Sequence, residues 1–430
     1  MSLDRVDRMI DFADLWGRNE AGFLQLMRIP SCYDAGSVSE SAPYGRPVRE
    51  AGRYMQMICT MAGFEIREYE DKVFSASYGS GERIDIASHL DVVEPGDGWQ
   101  VPPFAALERN DGYVGRGAQD MKSGAWAVYL ALRAFKESGI PPRREFRLVY
   151  GTDEERTMED MKAYVKAEGL PSFAFTPDCE FPMYCGEMGA IMWTLSGHYE
   201  GRIRSLTGGV QCNVISPSAD AVLTNDLDLH RDGRSAHAST PEAGHNATVE
   251  LLQTLTEMMP EEDVIRRLAV FFRDPYGESA GIAADDPEMG RLTLNLGVLK
   301  ITEDGELSAQ IDVRYPKSVD ADAIFARFKE VFPDLSPAMP YNDPPTWTNP
   351  GTREVCALRD AYREVTGREC IPTVSGGVSY AKVLGNCVTF GPVPEDHVKL
   401  AHQSGEYITK EACEKAVEIY YWSIVKLNEL

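Results

Sequence analysis

No apolar run in the 430 residues approaches the roughly 18 needed to cross a bilayer. Met1-Ser2-Leu3-Asp4-Arg5-Val6-Asp7 holds no signal-peptide core. The expected compartment is therefore the cytoplasm, and no membrane is expected as a partner. Positive charge is scarce, with 43 Lys and Arg against 67 Asp and Glu, a formal charge of −24. A surface of that sign repels phosphate backbones and anionic lipid, so nucleic acid is not an expected partner either. The nine cysteines are odd in number and form no Cys-x-x-Cys pair, which points to reduced thiols and away from a thiolate metal cluster. Cys179 and Cys185 read as packing residues. Internal repeats and low-complexity tracts are absent as well.

What is present suits a globular enzyme-sized chain: 43% hydrophobic and 26% charged residues leave material for a real core. Apolar residues at helical spacing predict two amphipathic helices within residues 5–27 and another over 46–62. Short apolar or alternating runs predict strands at 65–69, 73–77, 84–88, 146–150 and 173–176. Between them, 121–138 is strongly helical, with Gly139 as its stop. This alternation predicts an α/β fold, a mixed and largely parallel sheet flanked by helices. After Gly186 the texture becomes α+β, with strands at 191–195, 292–298 and 307–313 and helices at 247–259, 263–272 and 321–332. The first pattern resumes after Thr348 with a helix at 353–365, a strand at 387–390 and a closing helix at 410–427. We therefore expect a discontinuous first domain, 1–187 and 346–430, and an inserted lid domain, 188–345. A stretch with five prolines, 337–350, forms the stiff link.

The chemistry-bearing residues gather at predicted strand ends, where open α/β sheets bind ligands. His89 and Asp91 follow the strand 84–88. Glu154 and Glu155 follow 146–150, and Asp178 follows 173–176. Asp120 opens a helix, where the dipole favours a carboxylate, and His402 lies beyond 387–390. Two imidazoles and several carboxylates in one crevice can hold two divalent ions bridged by one carboxylate. Zinc accepts that mixed nitrogen and oxygen set, whereas magnesium rarely needs two imidazoles. Of two adjacent glutamates, one can ligate while its neighbour moves a proton. Taken singly, each motif has an ordinary structural explanation, since Thr152-Asp153-Glu154-Glu155 would equally well start an acidic helix.

Together, His89-Leu90-Asp91-Val92-Val93, Gly117-Ala118-Gln119-Asp120-Met121-Lys122-Ser123-Gly124, Gly151-Thr152-Asp153-Glu154-Glu155 and Pro177-Asp178-Cys179-Glu180-Phe181-Pro182 resemble the successive motifs of the co-catalytic dinuclear zinc peptidases. That clan includes carboxypeptidase G-like enzymes, aminoacylases, succinyl-diaminopimelate desuccinylase and the bacterial dipeptidase PepV. The resemblance implies two divalent ions, zinc first with manganese or cobalt as alternatives. It implies that Asp120 bridges them, that His89 and Asp178 complete one site, and that Glu155 and His402 complete the other. Glu154 would be the general base and Asp91 would orient His89. A cis peptide at Asp120-Met121 is also implied.

Asp178 in its motif, Gly186-Glu187, Gly281-Ile282-Ala283 and Met289-Gly290-Arg291-Leu292-Thr293 look most like the PepV branch, which points to hydrolysis of dipeptides. In the lid, Asn213, His237 and Arg314 look like the family's substrate-binding set. His237 would face an oxyanion, and Arg314 would offer a planar fork to a carboxylate. Ser375, Gly376 and Gly377 resemble a loop that presents backbone N–H groups to the substrate's carboxylate. His198, His230, His245 and His397 match nothing. Gly405 stands where many relatives have Asn. The length of the lid favours a monomer over a homodimer. The rival readings are an N-acyl amino acid or N-succinyl deacylase of the same clan, and a non-catalytic binding protein.

Overall fold

The computed structural model describes residues 10–109, 111–337 and 341–430. The expected helical start over 5–9, Asn110 and residues 338–340 of the expected link lie outside the described residues. The chain forms two compact units. One runs to Cys185 and resumes over Trp347–Thr373 and Val378–Leu430, and the other comprises Gly186–Thr346 and Val374–Gly377. The short piece Val374–Gly377, assigned by the sequence reading to the segment 346–430, thus groups with the second unit.

In the first unit, neighbouring strands of the main sheet run in the order Glu65–Tyr69, Val73–Gly79, Glu145–Gly151, Arg83–His89, Phe173–Thr176 and Cys387–Thr389. The last four pair in parallel, and the first two continue the sheet antiparallel. Successive strand residues face opposite sides. Ile84, Ile86, Phe146, Leu148, Phe173 and Phe175 therefore enter one core with the helices Phe12–Met27, Lys122–Glu137 and Lys410–Glu429. Ala87, Val149 and Ala174 meet Met161, Tyr164, Tyr380 and Leu384 on the other side. A sheet covered on both faces is the setting in which parallel strands read as continuous apolar runs.

Among the described residues up to Met27 there is one helix, Phe12–Met27, where two are expected over 5–27. Asp11 caps it by accepting the Asp14 N–H. The apolar gap around Gly22 is a packing feature, because a Cβ there would meet the Trp126 ring at 2.5 Å.

The second unit is built on an antiparallel sheet ordered Asp228–Asp232, Ser218–Leu223, Ile203–Gly208, Thr293–Ile301, Glu306–Tyr315 and Gly189–His198. Helices Ala247–Met258, Asp263–Phe271 and Ala321–Val331 share its core through Leu251, Leu255, Leu268 and Phe328, against Leu296 and Ile311. The three expected strands and three expected helices are present, and five further strands join the sheet: 203–208, 218–223 and 228–232 at one end, and the short Ser336–Pro337 and Tyr341–Asp343 beside Gly189–His198.

Candidate metal centre and active site

Register delivers the first candidate ligands. His89 pairs with Gly151 across the parallel ladder, so the loops leaving these strands begin at one level. One loop carries Asp91 and the other carries Glu154 and Glu155. Asp178 follows strand Phe173–Thr176 by two residues, and Asp120 directly precedes helix Lys122–Glu137 through a cis Asp120–Met121 peptide. His402 sits in a turn ahead of strand Tyr407–Thr409, with a left-handed backbone, φ 62°.

Asp120 divides its carboxylate between two imidazoles. Its Oδ1 lies 3.0 Å from His89 Nε2 and its Oδ2 lies 3.0 Å from His402 Nε2. Asp178 Oδ1 is 3.4 Å from the same His89 nitrogen, and Glu155 Oε2 is 3.1 Å from that of His402. Glu154 joins His89 and Asp178 in a group whose ligand atoms all lie within 4.8 Å of one another. Four largely buried carboxylates thus crowd two imidazoles, His89 buried and His402 half exposed. Burial, then the Asp178 charge, drives Glu154 well above the usual carboxylate range. Burial, then Asp120, pushes Glu155 up to about 7. Against the burial that is the largest effect on it, contacts from His402 and His89 hold Asp120 low. Contacts to Asp120 and Glu155 raise His402 to about 10.

Such a cluster is short of positive charge, and the donor set fits divalent cations. Ligand bonds of about 2.0–2.1 Å to a tetrahedral zinc place neighbouring donors about 3.3 Å apart, which the 3.0–3.4 Å separations match. Glu155 Oε1 is buried without a hydrogen-bond partner among the described residues, a costly state unless a cation or solvent occupies it. The partner of His89 Nδ1 is the Asp91 backbone carbonyl at 2.8 Å, while the carboxylate stands off at 3.6 Å. That carboxylate instead accepts the backbone N–H of Glu155 at 3.1 Å, fixing the neighbouring loop.

The remaining predicted residues belong to the second unit, where they form one group. Asn213 and His237 lie on adjacent segments, joined by Ala238 N–H donating to the Asn213 carbonyl at 2.9 Å and by a bridge between Val214 and His237. Arg314 donates to the Gly376 carbonyl at 2.9 Å, and a Cβ on Gly376 would strike Ser239 at 2.5 Å. The Arg314 fork is already half engaged, since Nε and Nη2 reach both oxygens of Asp312 at 2.9 and 2.8 Å. Nη1 is the nitrogen that donates to Gly376, so two of the five N–H groups, one on Nη1 and one on Nη2, remain for a ligand. In the loop 375–377, the Gly377 N–H donates to Ser375 Oγ at 2.9 Å.

The sequence pattern of peptidase family M20/M25/M40 matches residues 86–425, a span that contains every residue of the cluster. The chain belongs to this family. Among relatives, a Staphylococcus saprophyticus protein provisionally named a dipeptidase is 27% identical over 94% of this chain and 95% of its own length. A Staphylococcus aureus protein named in the same way is 28% identical over 94% and 95%. Among solved structures, human carnosine dipeptidase 1 superposes with a TM-score of 0.65 at 14% identity, covering 99% of each chain. The metallo-carboxypeptidase Sso-CP2 of Sulfolobus solfataricus gives 0.64 at 15% identity, over 96% of this chain and 99% of its own. These likenesses share the fold of a mixed α/β peptidase.

Four residues of this M20-family peptidase escaped the sequence reading. Asp312 had a signal, because two residues before Arg314 on a strand it must share that side chain's face. Ser239, which touches His237 Nδ1, had the same i, i+2 spacing but sits in a turn. Gln119 and Glu406, whose bonds join segments 287 positions apart, left no local pattern.

Proposed function

We propose that this protein hydrolyses dipeptides with the help of two divalent ions, zinc first, held by His89 and Asp178 on one side, Glu155 and His402 on the other, and Asp120 between. The observation that carries the reading is the division of the Asp120 carboxylate, one oxygen 3.0 Å from each histidine Nε2. When bound, such ions polarise a carbonyl and lower the pKa of water. The chain's own residues do the rest. Glu154, in the pocket beside His89 and Asp178, takes the proton of the attacking water and returns it to the leaving amine. Burial and the neighbouring Asp178, Glu155 and Asp120 carboxylates raise its proton affinity above that of an ordinary carboxylate. Asp91 holds the tautomer of His89 through its carbonyl and the backbone of Glu155 through its carboxylate.

To the second unit we assign substrate holding. His237 supplies an N–H to the oxyanion, the outer edge of Arg314 takes a carboxylate, and Asn213 and the loop 375–377 add polar contacts. The dipeptidase names of the relatives support the substrate class. The nine free thiols suit a reducing compartment such as the cytoplasm.

The deciding experiment restores metal-stripped protein with zinc, manganese or cobalt in turn and compares unmodified dipeptides with N-acetyl and N-succinyl amino acids. Recovery on dipeptides is expected. Recovery confined to the acylated set would make the protein a deacylase, and two bound ions with no turnover of any amide would make it a binder.

A further inference from the structure

His402 is the weakly supported member of the metal cluster. Its side chain is 54% exposed and its backbone is left-handed, whereas His89 is wholly buried at the end of a parallel strand. Something other than local backbone must place its ring. We infer that Gln119 and Glu406 are positioning residues that hold the His402 turn against Asp120 and thereby set the affinity of the second ion's site; this rests on the two-ion reading above.

The two side chains grip in opposite directions. Gln119, 4% exposed, donates its Nε2 hydrogens to the carbonyls of Val398 and Tyr407 at 2.9 and 2.7 Å, and its Oε1 accepts the Leu400 N–H at 2.8 Å. It thus ties down both ends of the segment that carries His402. Glu406, fully buried, reaches back. Its Oε1 accepts the N–H groups of Gln119 and Asp120 at 2.7 and 3.0 Å, and its Oε2 accepts Arg116 Nη1 and the Gly117 N–H at 2.7 and 3.1 Å. The residue bound through its N–H is Asp120, whose Oδ2 faces His402.

Residue choice follows from this inventory. Only a primary amide offers two donors and one acceptor to two carbonyls and an N–H, and only a carboxylate accepts from four donors with no hydrogen of its own to place. Gly405, at φ 78° with open space where a Cβ would lie, makes the turn that aims Glu406 at the 116–120 segment. Partners that orient ligands without touching the metal typically change metal affinity by about 10–100-fold. Because His89 and Asp178 are held by the sheet and not by this clamp, while Asp120 is shared, the effect should fall mainly on the second ion.

The test is calorimetric titration of zinc into metal-stripped wild type, Gln119→Met, Gln119→Glu and His402→Ala. Cobalt absorption spectra serve as a second readout, and far-UV circular dichroism monitors folding. Gln119→Met keeps the volume and removes the hydrogen bonds; Gln119→Glu sets an oxygen against two carbonyls. Expected are two ions in wild type, one retained with much the smaller change in affinity in all variants, and a second weakened about 10–100-fold by Gln119→Met. Gln119→Glu should weaken it further, approaching the loss in His402→Ala. Equal weakening of both ions, or an unchanged second ion in Gln119→Met, overturns the inference. A wild type that binds fewer than two ions overturns the two-ion reading instead, and Glu406→Gln repeats the test from the other side if the Gln119 variants do not fold.

Discussion

Ser239 fixes the tautomer of His237: its backbone N–H donates to the imidazole Nδ1 at 3.2 Å, and its hydroxyl lies 2.7 Å from the same nitrogen. An Nδ1 that accepts a backbone N–H carries no hydrogen, so the neutral ring bears its proton on Nε2. Burial, then the charge of Arg314, lowers the pKa of the ring and keeps it neutral at pH 7. A neutral Nε2–H donor is what an oxyanion requires, and removal of one such donor typically lowers kcat by about 10²–10³. We expect that loss in His237→Ala and a smaller one in His237→Gln, whose amide nitrogen can occupy the Nε2 position. Nitrogen-15 spectra should show Nδ1 unprotonated at neutral pH. An alanine variant within about threefold of wild type would remove His237 from the reaction.

Much of the fold could be read directly from the sequence, because the central strands are buried on both faces and end abruptly, as 83–89 does in His89-Leu90-Asp91 and 173–176 does in Pro177-Asp178. The strands 203–208, 218–223 and 228–232 were not legible. Their burial alternates or is shallow, and charged residues such as Arg204, Asp220 and Arg231 mask the period. Helix Phe12–Met27 was split because Gly17 and Gly22 interrupt its apolar stripe, although Gly22 is small to admit Trp126. In the site, residues with their own chemistry were visible at strand ends. Residues that serve the backbone of a distant segment were not, since the carbonyl of Asp91 and the amide of Gln119 act through contacts that no local spacing encodes.

Glu154 makes the sharpest test of the reaction. It is assigned no ion, so Glu154→Gln should retain both ions by elemental analysis while kcat falls about 10²–10⁴-fold, the usual contribution of a general base. Loss of metal from this variant would reassign Glu154 as a ligand, and activity within tenfold of wild type would leave the base unidentified.

Asp85 offers a test of stability remote from the metal cluster. Fully buried, it accepts from the Tyr164 hydroxyl at 2.9 Å and lies 3.3 Å from Arg83 Nε. Burial still pushes its carboxyl up to about 6, against Arg83 and Tyr164, which pull it down. A raised acid binds its proton more tightly folded than unfolded, so its contribution is most favourable below about pH 4 and declines until about pH 6. Asp85→Asn abolishes that decline. Relative to wild type, the variant should gain about 2–3 kcal/mol between pH 4 and pH 7, at about 1.4 kcal/mol for each of two pKa units. Urea midpoints at the two pH values give the difference, and a constant offset between the proteins would show that Asp85 stays ionised throughout.

Arg314 carries the last prediction. Its inner edge is bound bidentately by the buried Asp312, which locks the guanidinium plane and leaves the outer edge oriented before any ligand arrives. Such preorganisation reduces the entropy lost on binding, and a lysine cannot reproduce it, being a flexible point charge without a fork. If the outer edge receives the substrate's C-terminal carboxylate, Arg314→Lys should lower kcat/KM for a dipeptide about 10–100-fold, or about 1.4–2.7 kcal/mol at 1.36 kcal/mol per tenfold. The corresponding dipeptide amide should lose much less. Comparing the two substrates cancels any general damage from disturbing the Asp312 pair, which would affect both alike. Equal losses on acid and amide would place the carboxylate elsewhere, and Asp312→Asn, which leaves the fork in place but unlocked, should then leave the acid-to-amide ratio unchanged as well.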